Sequence, residues 1–338
     1  MLNKHTLTRL LYLCGSNVLI DVGFLNYLED KLVKVDQKMV SYSSGYHPDL
    51  MAALDHLMVA GGKRIRPIVT LLMGIMLGAE EDKLISLGAS IELLHTATLV
   101  HDDLIDGALL RRGNPTLNSH WTPAATVLTG DYIFAQAARL AAEIGSTEAM
   151  SLFAETLSII VNGELSQLFG KSQVPTREDY YYRIYEKTGS LFALSARAAA
   201  MISPADRKYV EPAEIYGKEL GKAFQIVDDV LDFTGNQERV GKPIGSDLRQ
   251  GIPTLPAIYY GEQHPDDQVL LACLDGTATQ EEADGLIKRI NESGVIDQAL
   301  AEASLCVENA IQNLEGFPEG REKDALSELG PFLLNRDL

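Results

Sequence analysis

Two clusters of aspartates, each set in an apolar helical stretch, limit most strongly how this chain can fold. The first cluster is Asp102, Asp103 and Asp106, within the sequence LVHDDLIDGALLRRGNPT that starts at Leu99. In a helix, positions i, i+1 and i+4 share one face. Three carboxylates there repel one another and are costly to remove from water, so a cation must compensate them. A hard divalent metal, which takes oxygen ligands, is the natural candidate.

The second cluster repeats this pattern further along the chain. Asp228, Asp229 and Asp232 lie within FQIVDDVLDF at 224–233. A single cluster is weak support for a metal site, because a solvated acidic helix face often has the same pattern. Two copies, both in apolar helix and both followed by basic residues, favour a pair of facing carboxylate trios that hold metal ions between them.

The composition is that of a folded protein whose main partner is not nucleic acid. The chain has 338 residues, enough for one large domain or two ordinary ones, and its apolar content of 46% supports a real core. A net charge of −18 argues against nucleic acid as a partner. Three scattered cysteines without metal-ligand spacing indicate reduced thiols in a cytoplasmic protein. We expect no apolar run long enough to span a bilayer.

Apolar residues recur at helical spacing along most of the chain, and no alternating strand pattern of useful length interrupts them. We therefore predict a single all-α domain, residues 21–338, with roughly ten or more helices around a central cavity. The expected helices include one over 83–110 and one that opens at Gly130, whereas residues 235–256 are expected to form a loop. Residues 1–20 are predicted to be an N-terminal extension or a first amphipathic helix rather than a targeting peptide.

Several other residues are candidates for an anion site or for packing. GGKRIRP at 61–67 suits a phosphate, although a helix end followed by a solvated basic turn has the same pattern. His95 lies two turns before Asp102, so both can face one cavity. His101 is interpreted as structural, because its neighbours are hard oxygen donors. The tyrosines between 180 and 185 are interpreted as packing residues. The cations available to bind phosphate are Lys63, Arg66, Arg111, Arg112, Lys187 and Lys242.

A cavity with metals and cations at its mouth and apolar walls below suits a particular kind of substrate, one with a diphosphate head and a hydrocarbon tail. Metal bound to the diphosphate stabilises it as a leaving group and so promotes ionisation of the C–O bond. A dry cavity then protects the resulting carbocation from water.

Six segments together resemble the trans-type isoprenyl diphosphate synthases, from about residue 20 to the end of the chain. They are, in order, GGKRIRP at 61–67, HTATLVHDDLIDGALLRRGNPT at 95–116, GDYIFAQA at 130–137, EKTGSL at 186–191, FQIVDDVLDF at 224–233 and GKPIGSDLRQG at 241–251. The resemblance implies the isoprenoid synthase type I fold. It implies repeated condensation of an allylic diphosphate primer with isopentenyl diphosphate, and release of diphosphate. It also implies a homodimer, with weak peripheral membrane contact left open.

The same resemblance implies a role for each matched residue. About three Mg²⁺ ions would bind at the six aspartates of the two clusters. The allylic diphosphate would be contacted by Arg111, Lys187 and Lys242. The diphosphate of isopentenyl diphosphate would be held by Lys63, Arg66, His95 and Arg112. Thr188 and Gln225 would lie near the allylic cation.

Small side chains before the first aspartates bear on the length of the product. Short-chain members of the family resemble one another in having bulky aromatics four or five residues before the first aspartate, whereas Thr98 and Ala97 stand there in this chain. The next candidates for the floor of the cavity are Leu94 and Ile91, about a turn deeper each. We therefore expect a product of C30 or longer, with geranylgeranyl diphosphate as the alternative.

Two other classes of protein share part of this pattern. A class I terpene cyclase shares the all-α fold and the first cluster, but it would normally carry a different second metal motif and would not need GGKRIRP. A non-catalytic subunit of a prenyl synthase would be expected to lose metal-binding aspartates, and all six are present. One departure from the short-chain pattern is Ile252, where relatives often have a lysine, so the full short-chain set of cations is in doubt.

Overall fold

The structure is a computed structural model that describes residues 23–41, 47–59, 62–111, 114–169, 175–235 and 244–335. The predicted N-terminal extension, residues 1–20, lies outside these ranges, as do Arg112 and Lys242. Within the ranges, nearly all of the regular structure is helical, so the prediction of an all-α fold is confirmed.

The described residues divide into two compact units. The first unit comprises those up to Thr156, with Leu191–Gly217 and Leu314–Leu326. The second unit comprises the described residues of Leu157–Ser190 and Lys218–Asn313, with those from Ser327 onward. The first aspartate cluster therefore belongs to the first unit and the second cluster to the second unit. That the two clusters face each other across a cavity stays a prediction.

The chain begins with helices α1 (Gly23–Val40), α2 (Pro48–Val59), α3 (Ile65–Met76) and α4 (Glu81–Ile105). Two-residue strands, β1 (Leu110–Arg111) and β2 (Asn114–Pro115), then pair antiparallel. Helices α5 (Leu117–His120) and α6 (Pro123–Glu143) follow. α4 packs against α1, α3 and α6, which makes it the central helix of the first unit.

The chain continues with α7 (Thr147–Leu168), α8 (Arg177–Ile184), a π-helical turn (Tyr185–Gly189), α9 (Ser190–Met201) and a 3₁₀ turn (Arg207–Tyr209). Helices α10 (Val210–Thr234), α11 (Ser246–Arg249), α12 (Leu255–Gln263) and α13 (Gln268–Leu274) come next. The last helices are α14 (Gln280–Glu292), α15 (Val295–Gln312) and α16 (Arg321–Leu334). α12 packs against α8, α14 and α15 within the second unit.

The central helix α4 ends earlier than the sequence pattern predicts. Glu81 and Asp82 lie in its first turn, where negative charge is favourable at the helix dipole. It ends at Ile105, not at 110, because Gly107 takes a left-handed conformation with φ of 63°. By length and composition α4 could cross a membrane, contrary to our expectation for the apolar runs, but 72% of its most apolar window is buried in the protein.

Helix α6 begins seven residues before the predicted position at Gly130. Thr122 accepts a hydrogen bond from the Ala125 N–H, and Pro123 occupies the first helical position, so the helix start is well capped. Gly130 lies inside the helix, where a Cβ would come 2.1 Å from Nε2 of His101. The glycine is therefore a packing requirement rather than a helix start.

The segment 235–256 is not wholly a loop, because α11 lies within it and α12 starts at its end. α11 begins after Gly245, whose φ of 70° is the left-handed conformation that glycine adopts without strain. Leu248 on α11 is fully buried, which anchors this part of the segment to the core of the second unit.

Candidate active site

The first aspartate cluster lies at the C-terminal end of α4. Asp102 and Asp103 belong to its last turn, and the N–H of Asp106 donates to the Asp102 carbonyl at 2.8 Å just after the helix ends. Asp106 is exposed and Asp102 is half-buried, whereas Asp103 is buried. The structure therefore turns one carboxylate of the cluster inward and leaves another at the surface.

The buried carboxylate of Asp103 is paired with Arg111. Nε of Arg111 donates to both carboxylate oxygens, at 2.9 and 3.0 Å. The pair forms because the chain turns after Gly107 and β1 returns Arg111 toward the end of α4. A cavity of about 50 Å³ lies beside the pair, bordered by residues of α2, α4 and β2. It is large enough for only a few water molecules.

The two histidines near this cluster differ in their surroundings. His95 is half-buried, and its carbonyl accepts a hydrogen bond from the Thr98 hydroxyl at 2.8 Å. His101 instead contacts α6, with Nε2 at 3.2 Å from the carbonyl oxygen of Val127 and 3.6 Å from Oδ1 of Asp131. These contacts are consistent with the interpretation of His101 as a structural residue, which stays a prediction.

The residues predicted to limit product length all lie on α4, before the aspartates. Ile91 and Leu94 are fully buried, Ala97 is buried, and Thr98 is half-buried. Positions 91, 94 and 98 follow one another at helical spacing along one side of α4. Their burial fits residues that line an apolar wall, and their effect on the product stays a prediction.

The basic segment before α3 contains the two cations predicted to bind isopentenyl diphosphate. Lys63 is half-buried, and Arg66 is buried with its guanidinium carbon 4.8 Å from the centroid of the Phe192 ring. Between them, Arg64 has φ of 50° and ψ of 32°, the left-handed conformation. That conformation costs a non-glycine residue about 1–2 kcal/mol, so other contacts must stabilise it here.

Lys187 and Thr188 lie in the π-helical turn between α8 and α9. Such turns insert an extra residue into a helix and occur frequently at functional sites. Nζ of Lys187 pairs with Oε1 of Glu164 at 2.8 Å. Nζ of Lys218, on α10, lies 5.0 Å from the centroid of the Tyr185 ring, which helps to hold the turn against α10.

A chain of hydrogen bonds joins the π-helical turn to the second aspartate cluster. The Thr188 hydroxyl donates to Oε1 of Gln225 at 2.7 Å, and Nε2 of Gln225 donates to Oδ1 of Asp229 at 2.8 Å. The Tyr180 hydroxyl donates to Oδ2 of Asp229 at 2.7 Å. The structure thus connects three residues that the sequence singled out separately. It adds Tyr180, which sequence reasoning assigned to packing.

The carboxyl group of Asp229 is buried within this arrangement, and burial changes its pKa. Burial raises the pKa of Asp229 to about 7, and the negative charge of Asp247 adds to the rise. The hydrogen bonds from Gln225 and Tyr180 lower the pKa in part, because they stabilise the carboxylate. Both of these donors are neutral, and the charge of Arg183 also lowers the pKa. Together they do not offset burial, so a bound cation would stabilise the carboxylate further.

The other aspartates of the second cluster have different positions. Asp228 is half-buried. Oδ1 of Asp232 accepts from the N–H and the hydroxyl of Ser246, at 3.1 and 2.8 Å, and Oδ2 accepts from the N–H of Asp247 at 3.1 Å. Asp232 therefore satisfies backbone N–H groups at the start of α11 and joins α10 to that helix.

These donors fit a divalent cation that binds together with its substrate. In the part of the chain that the structure describes, no group of three or more Asp, Glu, His or Cys side chains lies close enough to hold a metal ion. Proteins usually bind Mg²⁺ through one or two carboxylates, with water and substrate phosphates as the other ligands. Hard carboxylate oxygens, and a buried carboxylate with only neutral hydrogen-bond donors, suit such an ion.

Comparison with known proteins identifies close similarity along most of the chain. Residues 47–290 match the family model described as polyprenyl synthetase. The chain is 33% identical over 312 residues to heptaprenyl diphosphate synthase component 2 of Bacillus subtilis, covering 92% of this chain and 89% of that protein. It is 33% identical over 307 residues to octaprenyl diphosphate synthase of Haemophilus influenzae, covering 90% and 93% of the two chains.

The structural similarity is equally extensive. A crystal structure of polyprenyl synthase from Caulobacter crescentus, complexed with calcium and isoprenyl diphosphate, superposes with a TM-score of 0.88. Its sequence is 32% identical, and the match covers 93% of this chain and 97% of that one. The helices described above therefore follow the fold of that enzyme.

Proposed function

The chain belongs to the polyprenyl synthetase family and is a prenyltransferase, and from that premise we propose that it builds an all-trans polyprenyl diphosphate. In each cycle the C–O bond of an allylic diphosphate breaks and the isopentenyl double bond attacks the allylic carbon, forming a C–C bond. Loss of a proton then restores a double bond, with released diphosphate as the base. The observation that carries this proposal is the hydrogen-bonded chain from Thr188 through Gln225 to Asp229, beside Lys187.

Divalent metal binding is part of the proposal, with Mg²⁺ as the ion and about three ions per site. When bound, Mg²⁺ supplies positive charge that stabilises the departing diphosphate. Its proposed ligands are the six aspartates of the two clusters. Asp103, Asp229 and Asp232 would have to share their carboxylates with the donors that already bind them. Those donors are Arg111, Tyr180 with Gln225, and the start of α11, respectively.

Several cations of the chain would hold the phosphates of the two substrates. For the allylic diphosphate we propose Arg111, Lys187 and Lys242, and for isopentenyl diphosphate Lys63, Arg66, His95 and Arg112. Arg111 and Lys187 are paired with Asp103 and Glu164 in the structure, so each would exchange a carboxylate for a phosphate. The hydroxyl oxygen of Thr188 and the amide oxygen of Gln225 would stabilise the allylic cation through their dipoles.

We propose a product longer than geranylgeranyl diphosphate, of C30 or more. The names of the two relatives above specify products of seven and eight isoprene units. Small or half-buried side chains at 97 and 98 would let the growing chain pass, and Leu94 and Ile91 would lie deeper along α4. Geranylgeranyl diphosphate remains the competing product.

A larger side chain at Ala97 tests this explanation of product length. We expect Ala97→Leu to shorten the products and Ala97→Phe to shorten them further, because each fills the passage above Leu94. The measurement is chromatography of products made from labelled isopentenyl diphosphate. An unchanged product length in both variants would contradict the open passage before the aspartates.

We further propose that the enzyme acts as a homodimer. Large apolar side chains are exposed at the end of α7, where Leu165, Leu168 and Phe169 follow at helical spacing and Phe169 is 83% exposed. Exposure of such an apolar group to water is unfavourable in free energy, and such groups are typical of surfaces that another protein subunit covers. Light scattering after gel filtration would measure the mass. A monomer that gains activity only with a second protein would instead favour a two-component enzyme, as the name of the Bacillus relative indicates for that protein.

The decisive experiment is a product assay of the single purified chain. The protein is incubated with Mg²⁺, isopentenyl diphosphate and an allylic primer such as farnesyl diphosphate. We expect polyprenyl diphosphates of C30 or longer, and none when EDTA is added. Elongation that stops at geranylgeranyl diphosphate would contradict the proposed length. Cyclised hydrocarbons would indicate a terpene cyclase, and no product from the properly folded chain would indicate a non-catalytic subunit.

A further inference from the structure

The segment between Lys63 and Arg66 is held in an unusual conformation by Arg64. Among the described residues, Arg64 is the only non-glycine residue with positive φ. It is the N-cap of α3, where its side chain makes no capping hydrogen bond and its carbonyl accepts from the Ile68 N–H at 2.9 Å. A positive charge at the N-terminus of a helix also opposes the helix dipole. Local sequence preference therefore disfavours arginine in this place and this conformation.

Two carboxylates from neighbouring helices offset the unfavourable conformation of Arg64 and its unfavourable charge at the start of α3. Nε of Arg64 donates to Oδ1 of Asp36 on α1 at 2.8 Å, and Nη1 donates to Oε1 of Glu92 on α4 at 3.0 Å. Arg64 and Glu92 are 13% and 6% exposed, so solvent screens their interaction little. Burial alone would lower the pKa of Arg64, but the charges of Glu92 and Asp36 outweigh it and raise the pKa.

The space around this ion cluster is limited. A Cβ at Gly62 would lie 3.1 Å from Nη1 of Arg64 and 3.5 Å from Oε1 of Glu92. The backbone before Lys63 therefore passes directly over the buried guanidinium. Because Arg64 is fixed to both α1 and α4, its dihedral angles set the direction in which the chain enters α3. That direction determines the separation between Lys63, before the turn, and Arg66, in the first turn of α3.

We propose that Arg64 is the positioning residue of the site for isopentenyl diphosphate: its ion cluster with Asp36 and Glu92 holds the left-handed turn that places Lys63 and Arg66 around one diphosphate. This rests on the proposed function, in which those two cations bind that substrate. Arg64 itself is engaged by carboxylates and does not touch the diphosphate. The acidic residues Glu92 and Asp36 therefore support binding of an anion although their own charges oppose it.

Substitution of Glu92 shows whether Arg64 positions the site or contacts the diphosphate directly, because the two roles predict opposite changes in diphosphate affinity. Removing a negative charge near an anion site should tighten diphosphate binding if Arg64 contacts the ligand, because its charge is then released. If Arg64 acts by positioning, Glu92→Gln and Asp36→Asn should weaken binding. The measurement is calorimetric titration of isopentenyl diphosphate into the protein without metal or primer. We expect weaker binding in both variants, and about tenfold or more in Arg64→Ala.

Steady-state kinetics test the same inference in the active enzyme. We expect Arg64→Ala to raise KM for isopentenyl diphosphate and to leave KM for the allylic primer unchanged, whereas a general distortion of the active site would alter both. Arg64→Gly should lose less than Arg64→Ala, because glycine adopts the left-handed conformation without strain. Arg197→Ala is the matched control, since it removes an arginine paired with Glu214 elsewhere in the first unit. We expect it to leave both KM values unchanged.

Each result has a distinct meaning. Tighter or unchanged binding in Glu92→Gln would overturn the positioning role, as would equal increases in both KM values in Arg64→Ala. If Arg64→Ala does not fold, Glu92→Gln and Asp36→Asn alone decide the question. An inactive wild-type chain would instead contradict the proposed function, and normal kinetics in every variant of an active wild-type enzyme would overturn only this inference.

Discussion

The two aspartate clusters have the same sequence spacing but different chemical surroundings. In the first, the buried carboxylate of Asp103 pairs with a cation, Arg111, that is 38% exposed, and Asp106 is exposed. In the second, Asp229 is buried and held by the neutral donors Tyr180 and Gln225. The first cluster ends a helix, whereas the second lies on α10, before its end.

This difference shows that two motifs with the same spacing can form binding sites in which the carboxylate charges are balanced differently. Arg111 already balances the charge of Asp103 in the first cluster. In the proposed mechanism, Asp103 would exchange Arg111 for a metal ion, and Arg111 would bind a phosphate. The second cluster contains a carboxylate that is costly to ionise in the metal-free protein, because its neutral donors and the charge of Arg183 offset its burial only in part. We infer that the second cluster gains more from a bound cation than the first.

The largest expected effect is on catalysis when one charge is removed from either cluster. We expect Asp102→Asn and Asp228→Asn each to lower kcat by about 10²-fold or more, since in the proposed mechanism each removes charge that would bind the leaving diphosphate through the metal. Single-turnover assays with purified variants would measure this. Asp297→Asn, an exposed aspartate on α15, is the control. Normal activity in either cluster variant would show that only one cluster is needed.

A smaller loss of activity is expected when only one hydrogen bond to Asp229 is removed. Tyr180→Phe deletes one donor to this carboxylate, and we expect about a 10- to 100-fold loss of metal affinity or activity. The measurement is the Mg²⁺ concentration that gives half-maximal activity. Tyr182→Phe makes the same change at an exposed position of α8 and should have little effect. Equal changes in both variants would mean that the bond to Asp229 has no special role.

Removal of one charge from each cluster should also change the stability of the metal-free protein by different amounts. Asp103→Asn leaves Arg111 without its carboxylate, so we expect the free energy of unfolding to fall by about 1 kcal/mol. Asp229→Asn removes a buried charge whose burial is offset only in part by neutral donors and Arg183, so we expect no loss, or a gain of about 1–2 kcal/mol. Urea titration at pH 8 would measure both. A similar decrease in the two variants would contradict the contrast between the clusters.

The smallest effect concerns a surface carboxylate at the other end of α4. Hydrogen bonds from Lys31 and Lys34 lower the pKa of Glu81 to about 2, from 4.5. Because the pKa is lower in the folded state, this stabilisation is present above about pH 4.5 and is lost as the pH falls toward 2. Glu81 is 40% exposed, so we expect less than about 1 kcal/mol.

The pH dependence of unfolding tests this prediction. The difference in free energy of unfolding between the wild type and Glu81→Gln should be largest near pH 7 and should shrink between pH 4.5 and 3. A constant difference over that range would show that the lysines do not stabilise the ionised carboxylate.

Much of the fold follows from local sequence, and the exceptions have physical causes. Helical periodicity predicts the all-α class, because the burial of one helix face leaves a 3.6-residue pattern. The start of α6 was predicted wrongly at Gly130, since a glycine needed for contact with His101 resembles a helix boundary. The end of α4 was predicted wrongly at 110, because the left-handed conformation of Gly107 ends a helix that composition would extend.

The residues of the candidate site also divide into those that the sequence predicts and those that only the structure reveals. The aspartates, Lys187, Thr188 and Gln225 are recognisable because their spacing resembles a known family. Tyr180 is not, because its hydrogen bond to Asp229 joins residues 49 positions apart, and its tyrosine-rich neighbourhood favours packing. Arg64 appears in the sequence as one more cation of a basic turn, and nothing local predicts its left-handed conformation.

The sequence by itself determined the helical class, the family and the chemical type of the site, because residue identity and spacing carry that information. Tertiary structure alone decided which of these carboxylates forms an ion pair and which accepts hydrogen bonds from neutral donors instead. Asp103 and Asp229 occupy the same position in their motifs, yet one is paired with Arg111 and the other with Tyr180 and Gln225. The reason is that desolvation and hydrogen bonding depend on what other segments bring to a residue, and no local pattern records that.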